Sequence, residues 1–245
     1  MKETQDKLSI GNLQLLQAEN GYRYSLDPIL LARFVGLKKG SRVVDLGTGC
    51  GILPLLLATL NDVDELIGIE IQSGLAGRAK RNVQLNDLQD RVQILPGDIR
   101  NIRNLLPVSS TDLVVSNPPY RPSDSGRIAP DSERAIARHE LFGGLVDFVS
   151  AAKWLLKNGG SFAVIYLAER LPELMTAMIA DGIEPKRLRM VHSRQDASAK
   201  IVLLEGCKGG RPGLKVEKPL YVYENSGIGR DYTEEVLQMY GEPPD

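Results

Sequence analysis

The sequence predicts an α/β fold built on a seven-stranded, mostly parallel sheet, with an antiparallel edge hairpin and helices on both faces. Three observations predict it. From Arg42 onward, short apolar runs rich in β-branched residues alternate with segments of helix length, the rhythm of βαβ units. The first of these runs ends in a glycine-rich turn that opens directly into a helix. The chain has 245 residues, 42% of them hydrophobic and 25% charged, a composition that builds one packed core and excludes disordered or low-complexity architectures.

Taken in order, residues 1–40 form a short N-terminal segment. Within it Asp27 can cap a helix, Pro28 suits the first turn, and the apolar run that follows ends near Gly40. Strands are expected at 42–45, 65–70, 92–95, 113–116 and 161–166, with crossover helices at 51–61, 73–86, 140–156 and 169–181. Runs at 187–192 and 200–205 lack an intervening helix and predict the edge hairpin. A turn-rich C-terminal extension, 209–245, carries one short helix over 232–240. The whole of 1–245 reads as a single domain without internal repeats.

Thirty basic residues against 31 acidic ones exclude a protein that coats nucleic acid by overall charge, although a local basic patch remains open. Two cysteines, Cys50 and Cys207, support neither a disulfide framework nor a zinc site and read as buried thiols in a reducing compartment. His139 and His192 have no metal-ligand spacing, so no metal is expected. The polar start and the absence of a long apolar run predict neither secretion nor a membrane span, and place the protein in the cytoplasm.

The glycine turn reads Asp45-Leu-Gly47-Thr-Gly49-Cys-Gly51. Glycines at this position let a ligand approach the main chain at the carboxyl end of the sheet. A dinucleotide fingerprint would require Gly or Ala six positions into the motif, where Ile52 stands, so NAD is disfavoured. The turn instead resembles the S-adenosylmethionine site of class I methyltransferases, which are Rossmann-like. That resemblance implies that Asp45 orients the methionine end of the cofactor, with Gly47, Gly49 and Gly51 around it. Glu70, at the end of the second predicted strand, is placed to accept ribose hydroxyls. After the third strand, Asp98 and Ile99 offer a carboxylate for an adenine amine and an apolar face for its ring.

The fourth strand runs into Asn117-Pro118-Pro119-Tyr120. Two prolines stiffen the backbone and aim the Pro118 carbonyl. With the Asn117 amide oxygen, this makes a pair of acceptors for the hydrogens of an –NH₂ group, whose lone pair is then free for in-line attack on a methyl group. Tyr120 offers a stacking face for a planar substrate. The tetrapeptide is shared by methyltransferases of adenine N6, guanine N2 and protein glutamine amides, so all three acceptors remain open, as does a module that binds without turnover.

Between Lys186 and Lys215, eight Lys/Arg face only Asp196 and Glu205. Arg189, Arg194, Lys208 and Arg211 in this stretch are candidates to contact RNA phosphates. Arg121, with Arg127, Arg134 and Arg138, lies in a Pro/Ser/Gly-rich loop after Tyr120 that is expected to border the pocket.

Four stretches together resemble the bacterial tRNA adenine-N6 methyltransferase family: Tyr24-Ser-Leu-Asp27-Pro-Ile-Leu-Leu-Ala, the glycine turn, Ser116-Asn-Pro-Pro-Tyr120 and the Leu-Leu-Glu-Gly-Cys-Lys-Gly-Gly tail. Pro219-Leu-Tyr-Val-Tyr223 and Tyr232-Thr-Glu-Glu-Val236 are similar to the family's ending. The resemblance implies S-adenosylmethionine as cofactor, a valine tRNA as partner, and methylation of an adenine next to the anticodon. It also implies that Asp27 lies near the cofactor's amino-acid end or the target base.

Overall fold

The computed structural model describes residues 2–19, 25–120, 143–225 and 231–241. Five parallel strands form the centre: β3 (Ser41–Leu46), β4 (Val63–Glu70), β5 (Val92–Pro96), β6 (Thr111–Ser116) and β7 (Leu156–Leu167). Their side chains alternate between two cores. Val43, Leu66, Leu113 and Ala163 face one side, while Val44, Ile67, Val114 and Val164 face the other. Burial on both faces is why these strands read as continuous apolar runs.

On the first face lie α1 (Asp27–Phe34), α2 (Ile52–Leu60), α3 (Ser73–Leu85) and α7 (Glu234–Tyr240). On the second lie α4 (Ile102–Leu105), α5 (Leu145–Leu155) and α6 (Leu171–Ala180). Asp27 does not cap α1 as expected. Leu26 occupies the cap position and Asp27 the first turn, which leaves its carboxylate free to point at another part of the chain.

Among the described residues the central sheet has nine strands rather than seven. Strands β8 (Ile183–His192) and β9 (Ala199–Lys208) form the expected antiparallel pair, but β9 is interior, bonded to both β7 and β8. Sequence explains the order: Val202, Leu203 and Leu204 of β9 are buried on both faces, whereas β8 alternates buried and half-buried residues. The outer side of β8 is covered by two short strands, β10 (Lys215–Val216) and β11 (Leu220–Tyr221), each parallel to it. Strand β8 also starts earlier than expected, and Pro185 is accommodated at a register shift.

The N-terminal segment holds a hairpin of its own, β1 (Glu3–Lys7) with β2 (Gln14–Ala18), separate from the central sheet. It packs on α3. Cys50 is buried, whereas Cys207 is only half-buried, at the end of β9. Among the described residues, no helix is long and apolar enough to cross a membrane.

Candidate active site

The carboxyl ends of β3, β4 and β6 open into one cleft that holds about 880 Å³ of space, the solvent at its mouth included. After Leu46 the chain reverses through three left-handed glycines, Gly47 (φ 74°), Gly49 (φ 59°) and Gly51 (φ 84°). Packing requires two of them: a Cβ at Gly47 would meet the Phe148 ring at 3.2 Å, and one at Gly51 would meet Ala79 at 3.1 Å. A Cβ at Gly49 would meet nothing within 4 Å.

Asp45 stands at the floor of the cleft, 2% exposed. Burial pushes its carboxyl up to about 7; the nearby Glu70 carboxylate adds to the rise and Thr48 opposes it. Glu70 ends β4 with its orientation fixed by the backbone, since Gly49 N–H donates to Oε2 and Gln72 N–H to Oε1, both at 2.9 Å. Burial raises its titration as well, and these N–H donors oppose the rise. Each Glu70 oxygen keeps a lone pair beyond its backbone bond, which is what a pair of ribose hydroxyls requires.

Opposite this floor stands the Asn-Pro-Pro-Tyr segment. Ser116 Oγ donates to the Leu46 carbonyl at 2.8 Å and ties the end of β6 to the start of the glycine turn. Asn117 and Pro119 line the cleft, while Pro118 is buried and does not. Tyr120 O–H lies 2.6 Å from Asn117 Oδ1 and 3.1 Å from Asp27 Oδ2. The Tyr120 ring meets Tyr166 edge-on at 5.8 Å, and its carbonyl accepts from Arg170 Nη1 at 3.1 Å. Asp27 is therefore brought to the site through Tyr120, and its neighbour Pro28 lines the cleft.

Other expected residues are placed elsewhere. Gly97 and Ile99 line the cleft, but the Asp98 carboxylate is taken by its own loop: Arg100 donates through its backbone N–H at 2.9 Å and through Nη2 at 2.6 Å. That pairing holds the Asp98 carboxyl below its ordinary range. The basic stretch is divided by the hairpin. Cys207 pairs with Ser161 at the far end of β7, whereas Ile201 pairs with Leu167 at the end facing the cleft. Lys208 and Arg211 consequently sit at the end of the sheet remote from Asn117, and Lys208 Nζ donates to the carbonyls of Lys153 and Leu156 at the end of α5. Arg189, in mid-strand, holds the C-terminal extension through Glu235 at 2.6 Å and the Lys218 carbonyl at 3.0 Å. Arg194 follows β8 at the cleft end. Arg121, Arg127, Arg134 and Arg138 lie outside the described residues, as does Tyr24.

Sequence reasoning did not find Phe148 or Arg170. Phe148 gave no signal, because it reads as one apolar position of an amphipathic helix. Arg170 could have been found: it follows β7 at the carboxyl end of the sheet, where such folds carry their functional groups.

Residues 28–180 match the family model described as the methyltransferase small domain. The chain belongs to that family. Two curated relatives extend the likeness beyond the matched region. The tRNA1(Val) (adenine(37)-N6)-methyltransferase of Porphyromonas gingivalis is 30% identical over 206 residues, covering 82% of this chain and 80% of the relative. The protein of the same name from Bacteroides thetaiotaomicron is 27% identical over 220 residues, covering 84% and 88%. Among solved structures, one described as a predicted O-methyltransferase of Agrobacterium tumefaciens superposes with a TM-score of 0.70 at 22% identity, over 88% of this chain and 95% of that one. At that identity it shows the fold alone, the α/β sheet of this methyltransferase.

Proposed function

We propose that this methyltransferase uses S-adenosylmethionine to methylate the exocyclic N6 amine of an adenine in tRNA, next to the anticodon. The observation that carries the reading is the Asn117 carboxamide at the lip of a cleft whose floor is Asp45 and Glu70. The residues present suit this cofactor. Glu70 is preoriented with lone pairs to spare for ribose hydroxyls, Ile99 and Leu75 supply apolar walls for an adenine, and Asp45 offers a carboxylate to a cationic amino-acid end. When bound, S-adenosylmethionine supplies an electrophilic methyl group.

Asn117 Oδ1 accepts an N–H of the target amine and so fixes the direction of its lone pair. No strong base is required, because the amine becomes strongly acidic once its lone pair is committed to the methyl group and gives its proton to solvent, so alignment and electrostatics carry the rate. Relatives named for adenine N6 of tRNA1(Val) favour tRNA over a protein glutamine. The Asp98 carboxylate has no part in this reading, and phosphate contacts are assigned to Arg194, to Lys200 at the cleft end of β9 and to Arg121, not to Arg189, Lys208 or Arg211.

The test supplies methyl-labelled S-adenosylmethionine and unmodified total tRNA, digests the RNA and identifies the labelled nucleoside. Label in N6-methyladenosine is expected. Label that survives ribonuclease, or none in RNA, overturns the reading. Asn117→Ala is expected to lower transfer by on the order of 10²-fold, with cofactor binding changed little.

A further inference from the structure

The Asn-Pro-Pro-Tyr segment carries the acceptor of the target amine, yet two of its four residues have no N–H with which to tie the segment to its surroundings. At its near end Ser116 Oγ donates to the Leu46 carbonyl. At its far end the Tyr120 carbonyl accepts from Arg170 Nη1 at 3.1 Å, across 50 positions of sequence. We propose that Arg170 is a positioning residue for methyl transfer: from the turn between β7 and α6 it holds Tyr120, and through Tyr120 it holds Asn117 Oδ1 where the amine must meet it. The inference rests on the reading of Asn117 as the acceptor of the amine.

Arg170 suits this task because its own place is fixed. Nε donates to Glu173 Oε2 at 2.8 Å and Nη2 to Glu173 Oε1 at 2.6 Å, a two-bonded fork that sets the plane of the guanidinium. Glu173 belongs to the first turn of α6, so the fork is built on a helix. The guanidinium lies 5.0 Å from the centre of the fully buried Tyr166 ring, and that same ring meets the Tyr120 ring edge-on. Arg170 therefore reaches Tyr120 by two routes, through its carbonyl and, by way of Tyr166, through its ring. The Tyr120 hydroxyl carries the constraint onward, 2.6 Å from Asn117 Oδ1. An amide oxygen has two lone pairs, so a hydroxyl bonded to one directs the other, and that second lone pair is what the amine requires. Burial and charge separate Arg170 from the residues assigned to phosphates, because its side chain is only 15% exposed and its charge is met by Glu173.

Methylation of tRNA by the full chain at saturating cofactor tests the assignment, with cofactor affinity measured by calorimetry alongside. Arg170→Ala is expected to lower kcat by roughly 10- to 100-fold, the effect of a misplaced reacting group, with KM for tRNA and cofactor affinity each changed by less than about 3-fold. A matching loss of cofactor affinity would mark a general disturbance of the cleft and overturns the proposal. Arg170→Lys keeps the charge without the fork and is expected to lose at least about 3-fold in kcat; activity equal to wild type would mean that charge alone suffices, which also overturns it. In the Asn117→Ala protein, Arg170→Ala is expected to lower kcat by less than about 3-fold, because the group it positions is gone, and equal losses in the two backgrounds count against the brace. So does a fall of about 0.7–0.9 in the slope of log tRNA affinity against log salt, which would make Arg170 a phosphate contact. A readout without turnover separates this idea from the substrate reading. Arg170→Ala is expected to move the Asn117 side-chain amide resonances in ¹⁵N NMR of the free protein, and unmoved resonances overturn the brace even if the wild type proves inactive on RNA.

Discussion

Asp45 illustrates at the scale of one residue how a binding group weakens the fold that holds it. In the unfolded chain its carboxyl ionises near 3.8, whereas burial beside Glu70 moves it to about 7 in the native protein. Between those values the native state binds more protons than the unfolded state, so stability falls as pH rises through this window and the penalty is complete above about 7. A displacement from 3.8 to about 7 corresponds to on the order of 4 kcal/mol. Asp45→Asn is therefore expected to unfold at a higher temperature than wild type at pH 8, and at a similar temperature at pH 4, in a calorimetric scan. The same substitution removes the carboxylate proposed to meet the cofactor's cationic end. Calorimetric titration is expected to show cofactor affinity rising as pH increases from 6 to 8 in the wild type, with the Asn variant binding weakly and without that dependence. A wild-type affinity flat across this range would remove Asp45 from the cofactor's charged end.

Elements matter to this site chiefly through the bonds that join them, and Asn82 on α3 is the clearest junction. It is fully buried; its Oδ1 accepts from Leu16 N–H at 2.7 Å, and its Nδ2 donates to the carbonyls of Leu16 at 3.2 Å and of Cys50 at 2.9 Å. One side chain thus braces the glycine turn against the β1–β2 hairpin. Asn82→Leu would leave three backbone groups without this partner, at about 1–3 kcal/mol each if they stay dry. A loss of about 3 kcal/mol or more is expected in denaturant unfolding, with weaker cofactor binding; a loss under about 1 kcal/mol would show that the hairpin does not brace the turn. None of this was visible in the sequence. Glu3–Lys7 is all polar because the strand is half-exposed and its face packs through charged and amide groups, so it carries no hydrophobic signal. The two-residue strands β10 and β11 are too short for any period to register. By contrast, the seven strands of the central pattern were legible, because Val43–Val44 and Val114–Val115 are buried on both faces. The glycine turn and Asn117 were legible because each falls at the end of such a strand.

Whole-molecule charge is where linear reading misleads most, because neighbours in sequence are separated by the length of a strand. Between Lys186 and Lys215 the chain turns twice. Lys200 therefore stands beside the end of β7, two strands from β6 and so about 10 Å across the sheet from the line of Asn117, whereas Arg211 stands at the opposite end beside Lys186. Both side chains are exposed, and the net charge of the chain, −1, provides no general attraction for RNA. An RNA whose adenine enters the cleft meets the Lys200 end of the sheet and not the Arg211 end. Neutralising Lys200 to Gln is accordingly expected to weaken tRNA binding and to reduce the slope of log affinity against log salt by about 0.7–0.9, one phosphate contact. Arg211→Gln is expected to leave both quantities unchanged, and neither variant is expected to alter cofactor affinity. Filter binding of unmodified tRNA across a salt series distinguishes them. Equal effects at the two positions would mean that the RNA wraps the length of the sheet, and an effect at Arg211 alone would place the RNA on the face away from the cleft, which is incompatible with Asn117 as the acceptor of its amine.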